Sequence, residues 1–257
     1  MASQRKYTKP PINEVVCGLR FEAVPGLDPL TIGVYAKERE SEFPKHELHP
    51  ALGVAPVIVP GEGMPIRAWL ISEDEAFVIQ LQADRFYLNW RARGSKYPTF
   101  SGYEGSPGIL PRMTEEFDRF GAFCKKMFGQ TPKVIGIELA KIDHFPEGEY
   151  WRELDDLGEL IPLMLTMPKF SRSDKAMIGM RFVEPRDGGN LSVSLDLGTI
   201  QESGALTRFV KLESRIEREV RGDLEAIKGA FSGANQELNE VFDALISESE
   251  ALRRFNK

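Results

Sequence analysis

The sequence lacks the segments and the cysteine content of a secreted or membrane-bound protein. Residues 1–8 are polar and basic without an apolar core, so we predict no signal peptide. The longest apolar run, residues 160–167, is interrupted by Pro162 and is far too short to span a bilayer. The two cysteines, Cys17 and Cys124, lie in apolar periodic stretches and are predicted to be buried and unpaired. We therefore predict a cytoplasmic protein without a membrane segment.

Histidines are also few, and their surroundings do not predict a metal site. His46 and His49 lie three residues apart between two prolines, whereas the two-histidine zinc motif places its histidines four residues apart on a helix. We predict a loop at this position. His144 follows Asp143, but no serine or cysteine motif accompanies the pair to form a catalytic triad. The sequence thus predicts neither a metal nor a cofactor.

Phosphate-binding and catalytic patterns are missing too. The segment 61–63 (Gly-Glu-Gly) lacks the lysine and the helix start of a P-loop. The segment 187–189 (Asp-Gly-Gly) lies between two predicted strands, where a hairpin turn explains its composition. Adjacent carboxylates such as Asp155 and Asp156 are typical of solvated helix faces. We predict no catalytic residue.

The charge balance disfavours nucleic acid as a partner. The chain has 257 residues and a formal net charge of −6 at pH 7, so it lacks the general attraction to phosphate that nucleic-acid binders show. Residues 211–221 alternate basic and acidic side chains, which is typical of a solvated surface. With 42% hydrophobic and 28% charged residues, the chain has a globular composition and enough length for one large or two small domains.

What the sequence does contain is one order of elements that occurs twice. In the first half, residues 12–24 predict a strand, and Asp28 followed by Pro29 predicts the start of a helix that runs to Phe43. The apolar spacing from Met113 to Met127 predicts a second helix that ends at Gly129. Between the helices, short apolar or alternating segments predict strands at residues 54–59, 66–72, 76–82 and 86–91.

The second half repeats this order. Residues 133–145 predict a strand, residues 149–160 a helix, and the spacing from Leu224 to Leu245 a long closing helix. Four further strands are predicted at residues 161–167, 176–184, 190–197 and 206–216. We expect the apolar sides of the two closing helices to be buried, with Phe117, Phe120, Phe231, Leu238 and Phe242 among their core residues.

Each half thus reads strand, helix, four strands, helix, which is the topology of the TATA-box-binding-protein-like fold. We predict an α+β protein of two tandem pseudo-repeats, residues 1–130 and 131–257, with a curved antiparallel sheet that carries its helices on one side. In such a saddle the opening strands of the two repeats pair with each other at a pseudo-twofold axis. This similarity concerns the fold and does not carry a function with it.

One side of the central strands has an unusual composition for a sheet surface. Because side chains alternate along a strand, one side of these strands is apolar and the other is not. The polar side collects Arg67, Trp69, Gln80, Gln82, Tyr87, Asn89 and Arg91. Solvated strands more often use threonine, lysine and glutamate, whereas tryptophan, tyrosine and arginine are the usual anchors of interfaces. We interpret this side as a binding face; a plain solvated face and a face covered by another part of the chain are the alternatives.

The opening strands add two charged residues to the predicted site. Gly18 and Gly136 occupy matching positions in the two halves, which places Arg20 opposite Glu138 in the alignment. If the two strands pair side by side, these residues point to the polar side and lie close enough to form an ion pair. We therefore add Arg20 and Glu138 to the predicted ligand- or partner-binding residues.

Three stretches, residues 10–21, 81–91 and 97–100, are similar to a sporadically distributed family of bacterial proteins of about this length without an assigned function. The most specific parts are Pro10-Pro11-Ile12 and Asn89-Trp90-Arg91. The resemblance covers most of the first half and, more loosely, the C-terminal helix. A patchy distribution is typical of mobile defence or toxin–antitoxin modules, so the resemblance implies a role of that kind and identifies no chemistry.

Three functions remain open at this point. The first is a non-catalytic binding protein that holds a small ligand or a partner protein on the polar side of the sheet. The second is an enzyme with scattered catalytic residues, for which Asp84, Arg85 and His144 are the candidates. The third is a nucleic-acid-binding saddle, which the acidic composition and the polar character of the predicted surface both oppose. We favour the first.

Overall fold

The computed structural model describes residues 7–53, 66–94, 96–166, 177–202 and 205–256. Its strands are β1 Ile12–Phe21, β2 Lys45–Pro50, β3 Ile66–Ile71, β4 Phe77–Gln82, β5 Arg85–Arg91, β6 Val134–Pro146, β7 Ile178–Arg186, β8 Gly189–Glu202 and β9 Ala205–Glu219. Its α-helices are α1 Pro29–Glu38, α2 Ile109–Phe128, α3 Leu154–Leu160, α4 Leu224–Leu245 and α5 Glu248–Phe255. A 3₁₀-helix spans Pro162–Thr166.

The protein is an α+β protein, as the sequence predicts. Within the described residues, nine strands form one open antiparallel sheet in the order β2-β3-β4-β5-β1-β6-β9-β8-β7. The opening strands β1 and β6 are hydrogen-bonded neighbours in this order, which confirms that they pair with each other. One of the flanking backbone bonds runs from the amide of Glu22 to the carbonyl of Lys133, at 2.9 Å.

Local chemistry explains where several elements begin and end. Asp28 caps α1, because its carboxylate accepts a hydrogen bond from the Thr31 amide at 2.8 Å while the Thr31 hydroxyl accepts one from the Asp28 amide. Gly129 ends α2 in the left-handed conformation, with φ of 75°. Asp187 and Gly188 form the turn between β7 and β8, and Gly188 has a φ of 73°.

The structure corrects several predicted elements. The segment that contains His46 and His49, predicted as a loop, is the strand β2; its residues are nearly all exposed and lack the apolar alternation that marks a half-buried strand. Helix α1 ends at Glu38 and not at Phe43. Helix α3 begins only at Leu154, and the strand predicted at residues 161–167 is replaced by the 3₁₀-helix, which Pro162 starts.

One further difference concerns the end of the second predicted repeat. Helix α5 was not predicted, because half of its eight residues are charged and only Ala251 and Phe255 are buried. The strand predicted at residues 54–59, the Gly-Glu-Gly segment 61–63 and Met167 lie outside the described residues.

The chain forms two compact units. The first unit contains residues 15–139 and 218–231, and the second contains residues 1–14, 140–217 and 232–257. In the first unit, Phe120 of α2 is fully buried, and its ring centroid lies 5.8 Å from that of Phe21, 5.4 Å from Tyr35 and 5.4 Å from Phe86. The apolar side of α2 therefore provides the core on which this unit's strands rest.

The second unit has its own aromatic core. Trp151 is 2% exposed and donates its indole N–H to the carbonyl of Phe145 at 2.8 Å. Phe255 of α5 packs 6.2 Å from the Phe145 ring. Of the five predicted core residues of α2 and α4, all are buried except Phe242, which is half-buried. Among the described helices, none is both long enough and apolar enough to cross a bilayer.

Candidate functional site

The strand register of the first unit places the predicted polar side chains in rows. Trp69 of β3 lies opposite Gln80 of β4, and Gln80 lies opposite Tyr87 of β5. The alternate row, Leu70–Ile79–Leu88, is completely buried on the apolar side. The predicted separation of these strands into an apolar and a polar side is therefore confirmed. We call the residues on the second side the polar face: Arg67, Trp69, Gln80, Gln82, Arg85, Tyr87, Asn89 and Arg91, with Arg20 of β1 and Glu138 of β6.

The polar face is not a solvated sheet surface. Exposure is only 5% for Gln80 and 2% for Tyr87, Asn89 and Glu138. The four arginines and Trp69 are half-buried. The alternative of a plain solvated face is thus wrong, because solvated strands leave such side chains in water. The low exposure agrees both with a binding face and with a face that another part of the chain covers. A buried polar side chain needs hydrogen-bond partners, so the contacts of each residue decide what the face can do.

Glu138 occupies the centre of a buried hydrogen-bonded group. The Tyr87 hydroxyl donates to Glu138 Oε2 at 2.9 Å, and Arg85 Nη1 lies 3.2 Å from the same hydroxyl and 3.9 Å from Glu138 Oε2. Burial, and then the nearby Glu138 charge, raise the pKa of Tyr87 well above its ordinary value. Tyr87 therefore stays protonated and acts as a hydrogen-bond donor to the carboxylate.

Gly18 makes room for this group. A Cβ atom at position 18 would lie 2.3 Å from Tyr87 Cε1 and 3.2 Å from the Glu138 Cβ. No side chain fits within such distances, so the Tyr87 ring crosses β1 at a position where only glycine is tolerated. The glycine singled out in the sequence thus has a packing role beneath the centre of the polar face.

The predicted ion pair between Arg20 and Glu138 is replaced by a different arrangement. In the described part of the chain, Glu138 pairs with Arg85, and Arg20 forms neither a hydrogen bond nor an ion pair. The Arg20 guanidinium lies instead over Gly136, where a Cβ atom would be 2.7 Å from Arg20 Nη2. Gly136 and Glu138 are two residues apart on β6 and face the same side, so Arg20 still belongs to the polar face.

Trp69 is held between cationic and imidazole groups. Its ring centroid lies 4.0 Å from that of His49, and the guanidinium carbons of Arg91 and Arg67 lie 4.7 and 5.5 Å from the Trp69 ring. Such stacking orients arginines without using up their N–H groups. Trp69 thus positions two arginines of the polar face.

Gln82 has a different role from the one predicted for it. Its side-chain amide accepts from the Leu52 amide at 2.9 Å, donates to the Leu52 carbonyl at 3.1 Å and donates to Asp84 at 2.8 Å. With its amide group occupied by these neighbours, Gln82 fixes a connecting segment and has little left to offer a ligand.

Arg85 also lies on the polar face, although from the sequence it was only a candidate catalytic residue. It is directly opposite Gln82 and two residues before Tyr87, so the period of two along β5 already predicts its position on this side. The predicted strand began at Phe86, one residue too late for Arg85 to be included.

Several N–H donors on the polar face have no acceptor. The Nε atoms of Arg20, Arg67 and Arg85 and the indole Nε1 of Trp69 are buried without a hydrogen-bond partner. Within the described residues, Arg67, like Arg20, makes no hydrogen bond or ion pair through any of its nitrogen atoms. Burial lowers the pKa of Arg67, against the weaker opposing effects of Tyr87 and Glu138. Half-buried charges and donors of this kind are costly unless an acceptor compensates them.

The histidines do not assemble a metal site. In β2, His49 Nε2 lies 2.9 Å from Glu47 Oε2, and the His49 ring stacks on Trp69. Over the described ranges, no group of three or more histidine, cysteine or acidic side chains is placed to hold a metal ion. Cys17 and Cys124 are both buried and form no disulfide, and burial raises the pKa of Cys124 to about 12.

Asp143, which precedes the third histidine, is buried in the second unit. Burial raises its pKa to about 7, and the nearby Lys141 ammonium opposes this shift only in part. Lys141 donates to the side chain of Asn239. The His144 ring packs 5.2 Å from the ring of Phe209, and its backbone amide donates to the Pro11 carbonyl at 2.9 Å. These contacts explain His144 as a packed strand residue.

The second unit has a polar surface of its own on β7, β8 and β9. An open groove of about 500 Å³ lies there. We call its side chains, together with Lys211, the charged face: Arg181, Ser192, Ser194, Asp196, Glu213, Arg215 and Glu217. Its charges compensate each other, because Lys211 lies 3.2 Å from Asp196 and Arg215 lies 2.8 Å from Glu213.

No family model, no curated protein and no solved structure matches the chain.

Proposed function

We propose that the protein is a non-catalytic binding protein that holds a small ligand or a partner protein on the polar face of the first unit. One observation carries this proposal: Arg20 and Arg67 are half-buried cations without an acceptor, in the same face as the unpartnered indole N–H of Trp69. Each buried donor without an acceptor destabilises a fold by about 1–3 kcal/mol. A binding function explains why the fold tolerates this destabilisation, because acceptors of a bound ligand or partner would form hydrogen bonds with the donors.

The composition of the polar face supports the same proposal. Tryptophan, tyrosine and arginine are the residues that contribute most to binding energy at interfaces. Trp69 and Tyr87 here are held by neighbours on their own sheet, Trp69 by His49 and Tyr87 by Glu138. Side chains fixed before binding lose less conformational entropy when a ligand arrives.

We also propose that the two halves are pseudo-repeats of a TATA-box-binding-protein-like saddle. The strand order supports this, since it reads β2-β3-β4-β5-β1 for the first half and β6-β9-β8-β7 for the second, with the two opening strands adjacent. Within the described residues the second half has one strand fewer, where Pro162–Thr166 forms a 3₁₀-helix. Superposition of the two halves in an experimental structure tests the proposal.

Capture from a native lysate tests the binding function. The full chain is immobilised, and bound proteins and small molecules are identified by mass spectrometry. Trp69→Ala and Arg91→Ala are expected to lose the species that the wild-type chain captures, because they remove the aromatic platform and one of its cations. Their melting temperatures are expected to stay within about 4 °C of the wild-type value, the shift that about 1 kcal/mol produces in a chain of this size.

Arg181→Ala serves as the matched control, because it removes an exposed arginine from the charged face of the second unit. This variant is expected to capture the same species as the wild-type chain. If both polar-face variants unfold, the two residues belong to the scaffold and the assignment is wrong. Unchanged capture by folded Trp69→Ala and Arg91→Ala variants would place the binding site elsewhere.

A further inference from the structure

We infer that the group bound on the polar face is an oxyanion, a carboxylate or a phosphate of a small molecule. This inference rests on the proposed binding function and narrows it to a ligand chemistry. It follows from the charges, the donor geometry and the burial of the face.

The charge balance of the polar face is positive. It carries the cations of Arg20, Arg67, Arg85 and Arg91, while its central acid is Glu138. Glu138 is 2% exposed and is occupied by the Tyr87 hydroxyl and by Arg85. A second acid at the end of the strand, Asp84, lies 3.8 Å from Arg85 and accepts from Gln82. A third acid, Glu47, lies opposite Trp69 in the sheet register and contacts His49 at 2.9 Å. Glu138 opposes the effect of burial on the pKa of Arg67 only in part. Among the described residues, neither Arg20 nor Arg67 forms an ion pair with any of these three acids, so the four arginines retain an excess of positive charge that favours an anion.

The unpartnered atoms of Arg20, Arg67, Trp69 and Arg85 belong to donor groups. A guanidinium has five N–H groups and no acceptor, and an indole has a single N–H. The polar atoms that lack a partner at Arg20, Arg67, Trp69 and Arg85 are therefore all nitrogens that donate. A ligand that satisfies them must bring acceptors, and carboxylate and phosphate oxygens are the acceptors that match the guanidinium fork.

The placement of Arg67 supports this assignment. Its guanidinium carbon lies 5.5 Å from the centroid of the Trp69 ring, a cation–π contact that uses none of its N–H groups as hydrogen-bond donors. Burial lowers the pKa of Arg67, because desolvation disfavours the charged form, and Tyr87 and Glu138 oppose this shift only in part. An oxyanion beside it would reverse this penalty, whereas a neutral or cationic ligand would not.

A small molecule fits these observations better than a nucleic acid. The unpartnered nitrogen atoms are buried, so the acceptors must come from a compact group that reaches into the face. The chain as a whole has a formal net charge of −6 and repels an extended polyanion.

Calorimetric titration of the full chain tests the inference with two probes, inorganic phosphate and acetate, against sodium chloride at equal ionic strength. The two probes distinguish the two sources of an oxyanion. We expect the wild-type chain to bind at least one of them. Arg67→Gln and Arg20→Gln are each expected to weaken that binding about tenfold or more, the effect of losing a charge-assisted hydrogen bond.

Two further variants complete the design. Arg67→Lys keeps the charge but loses the fork, and it is expected to bind more weakly than wild type and more tightly than Arg67→Gln. Arg181→Gln removes an equal charge from the second unit and is expected to bind like wild type. If Arg67→Gln does not fold, Arg67→Lys and Arg20→Gln decide the test in its place.

Three outcomes would overturn the inference. The first is that the wild-type chain binds neither probe. The second is that the folded Arg67 and Arg20 variants bind the probe as tightly as the wild-type chain. The third is that Arg181→Gln loses as much affinity as they do, which would indicate a nonspecific ionic effect. The lysate experiment separates these from a failure of the binding function. If Trp69→Ala loses its captured species while phosphate and acetate do not bind, the binding function stands and only the oxyanion is wrong.

Discussion

The polar face of the first unit and the charged face of the second are built by the same alternation along antiparallel strands, yet they differ in burial and in compensation of charge. On the charged face, Lys211 pairs with Asp196 at 3.2 Å and Arg215 with Glu213 at 2.8 Å, and Arg181 is exposed to solvent. On the polar face, Arg20 and Arg67 are half-buried and have no such partner.

This difference shows what residue types add to periodicity. Serine, aspartate, glutamate and lysine on β8 and β9 give the mixed-charge surface that solvated strands usually have. Tryptophan, tyrosine and amides on β3, β4 and β5 give a face in which Gln80 is 5% and Asn89 is 2% exposed. Both faces have the same period of two, so composition and not alternation distinguishes a solvated sheet surface from a buried polar one.

The largest effect is expected when the polar face loses Tyr87. Tyr87→Ala should lower the free energy of unfolding by about 3–5 kcal/mol, because it removes a ring that is 2% exposed and leaves Glu138 without its donor. Chemical denaturation measures the change. Phe182→Ala in β7 is the control: its side chain is 49% exposed, so it should cost less than about 1 kcal/mol. Equal effects would erase the distinction between the two faces.

Much of the fold was predictable, because the signals are local. The cap at Asp28, the glycine after α2 and the alternation in β4 and β5 each follow from neighbours in the sequence, and the structure has all three elements. The strand β2 was missed because its residues are polar and exposed, so it has no apolar period. Its place in the sheet depends on pairing with β3, which is not a local property.

Which residues lie on the polar face was predictable from the sequence, but their burial and their ion-pair partners were not. Alternation placed Trp69, Gln80 and Tyr87 on one side, as the register has them. The sequence does not predict that these residues are buried or that Glu138 pairs with Arg85 and not with Arg20. Both depend on how β5, β1 and β6 lie beside each other in the sheet. Both glycines of the opening strands were noted, but the Tyr87 ring that requires Gly18 lies far along the chain.

A second prediction concerns this glycine. Gly18→Ala should destabilise the first unit by about 1–3 kcal/mol, because the added Cβ would lie 2.3 Å from the Tyr87 ring and displace it from Glu138. Gly198→Ala in β8 is a matched control, since its nearest neighbour would be the Phe209 ring at 3.9 Å. Thermal or chemical denaturation compares the two. A Gly18→Ala variant as stable as Gly198→Ala would show that the ring position is not fixed by this glycine.

A third prediction concerns Asp143, a buried acid of β6. Burial raises the pKa of Asp143 to about 7, so the folded protein holds a proton that the unfolded chain releases near pH 4. The contribution of Asp143 to the free energy of unfolding should therefore be greatest below about pH 4. It should fall as the pH rises towards 7, by at most about 1.4 kcal/mol per pH unit. Asp143→Asn should remove this part of the slope, measured by denaturation from pH 4.5 to 8. Parallel curves for the two proteins would contradict it.

The sharpest test of the comparison uses two arginines that both stack on tryptophan. In the second unit, Arg208 lies 5.0 Å from the Trp151 ring and donates to both oxygens of Glu147, at 2.6 and 2.9 Å. In the first unit, Arg67 lies 5.5 Å from the Trp69 ring and has no acceptor among the described residues. The two sites therefore differ chiefly in the presence of a carboxylate partner.

The smallest effect is accordingly expected for Arg67. Arg208→Gln should lower the free energy of unfolding by about 1–3 kcal/mol, because it breaks a bidentate, charge-assisted pair and leaves the half-buried Glu147 without this arginine. Arg67→Gln should change the free energy of unfolding by less than about 0.5 kcal/mol, or raise it, because the substitution removes a half-buried charge whose desolvation Glu138 offsets only in part. Denaturation curves of the two variants at one pH and ionic strength measure the difference. Such a result would support the proposal that Arg67 serves binding and not stability. If Arg67→Gln lowers the free energy of unfolding as much as Arg208→Gln does, then Arg67 is part of the scaffold. The two faces would then differ only in burial.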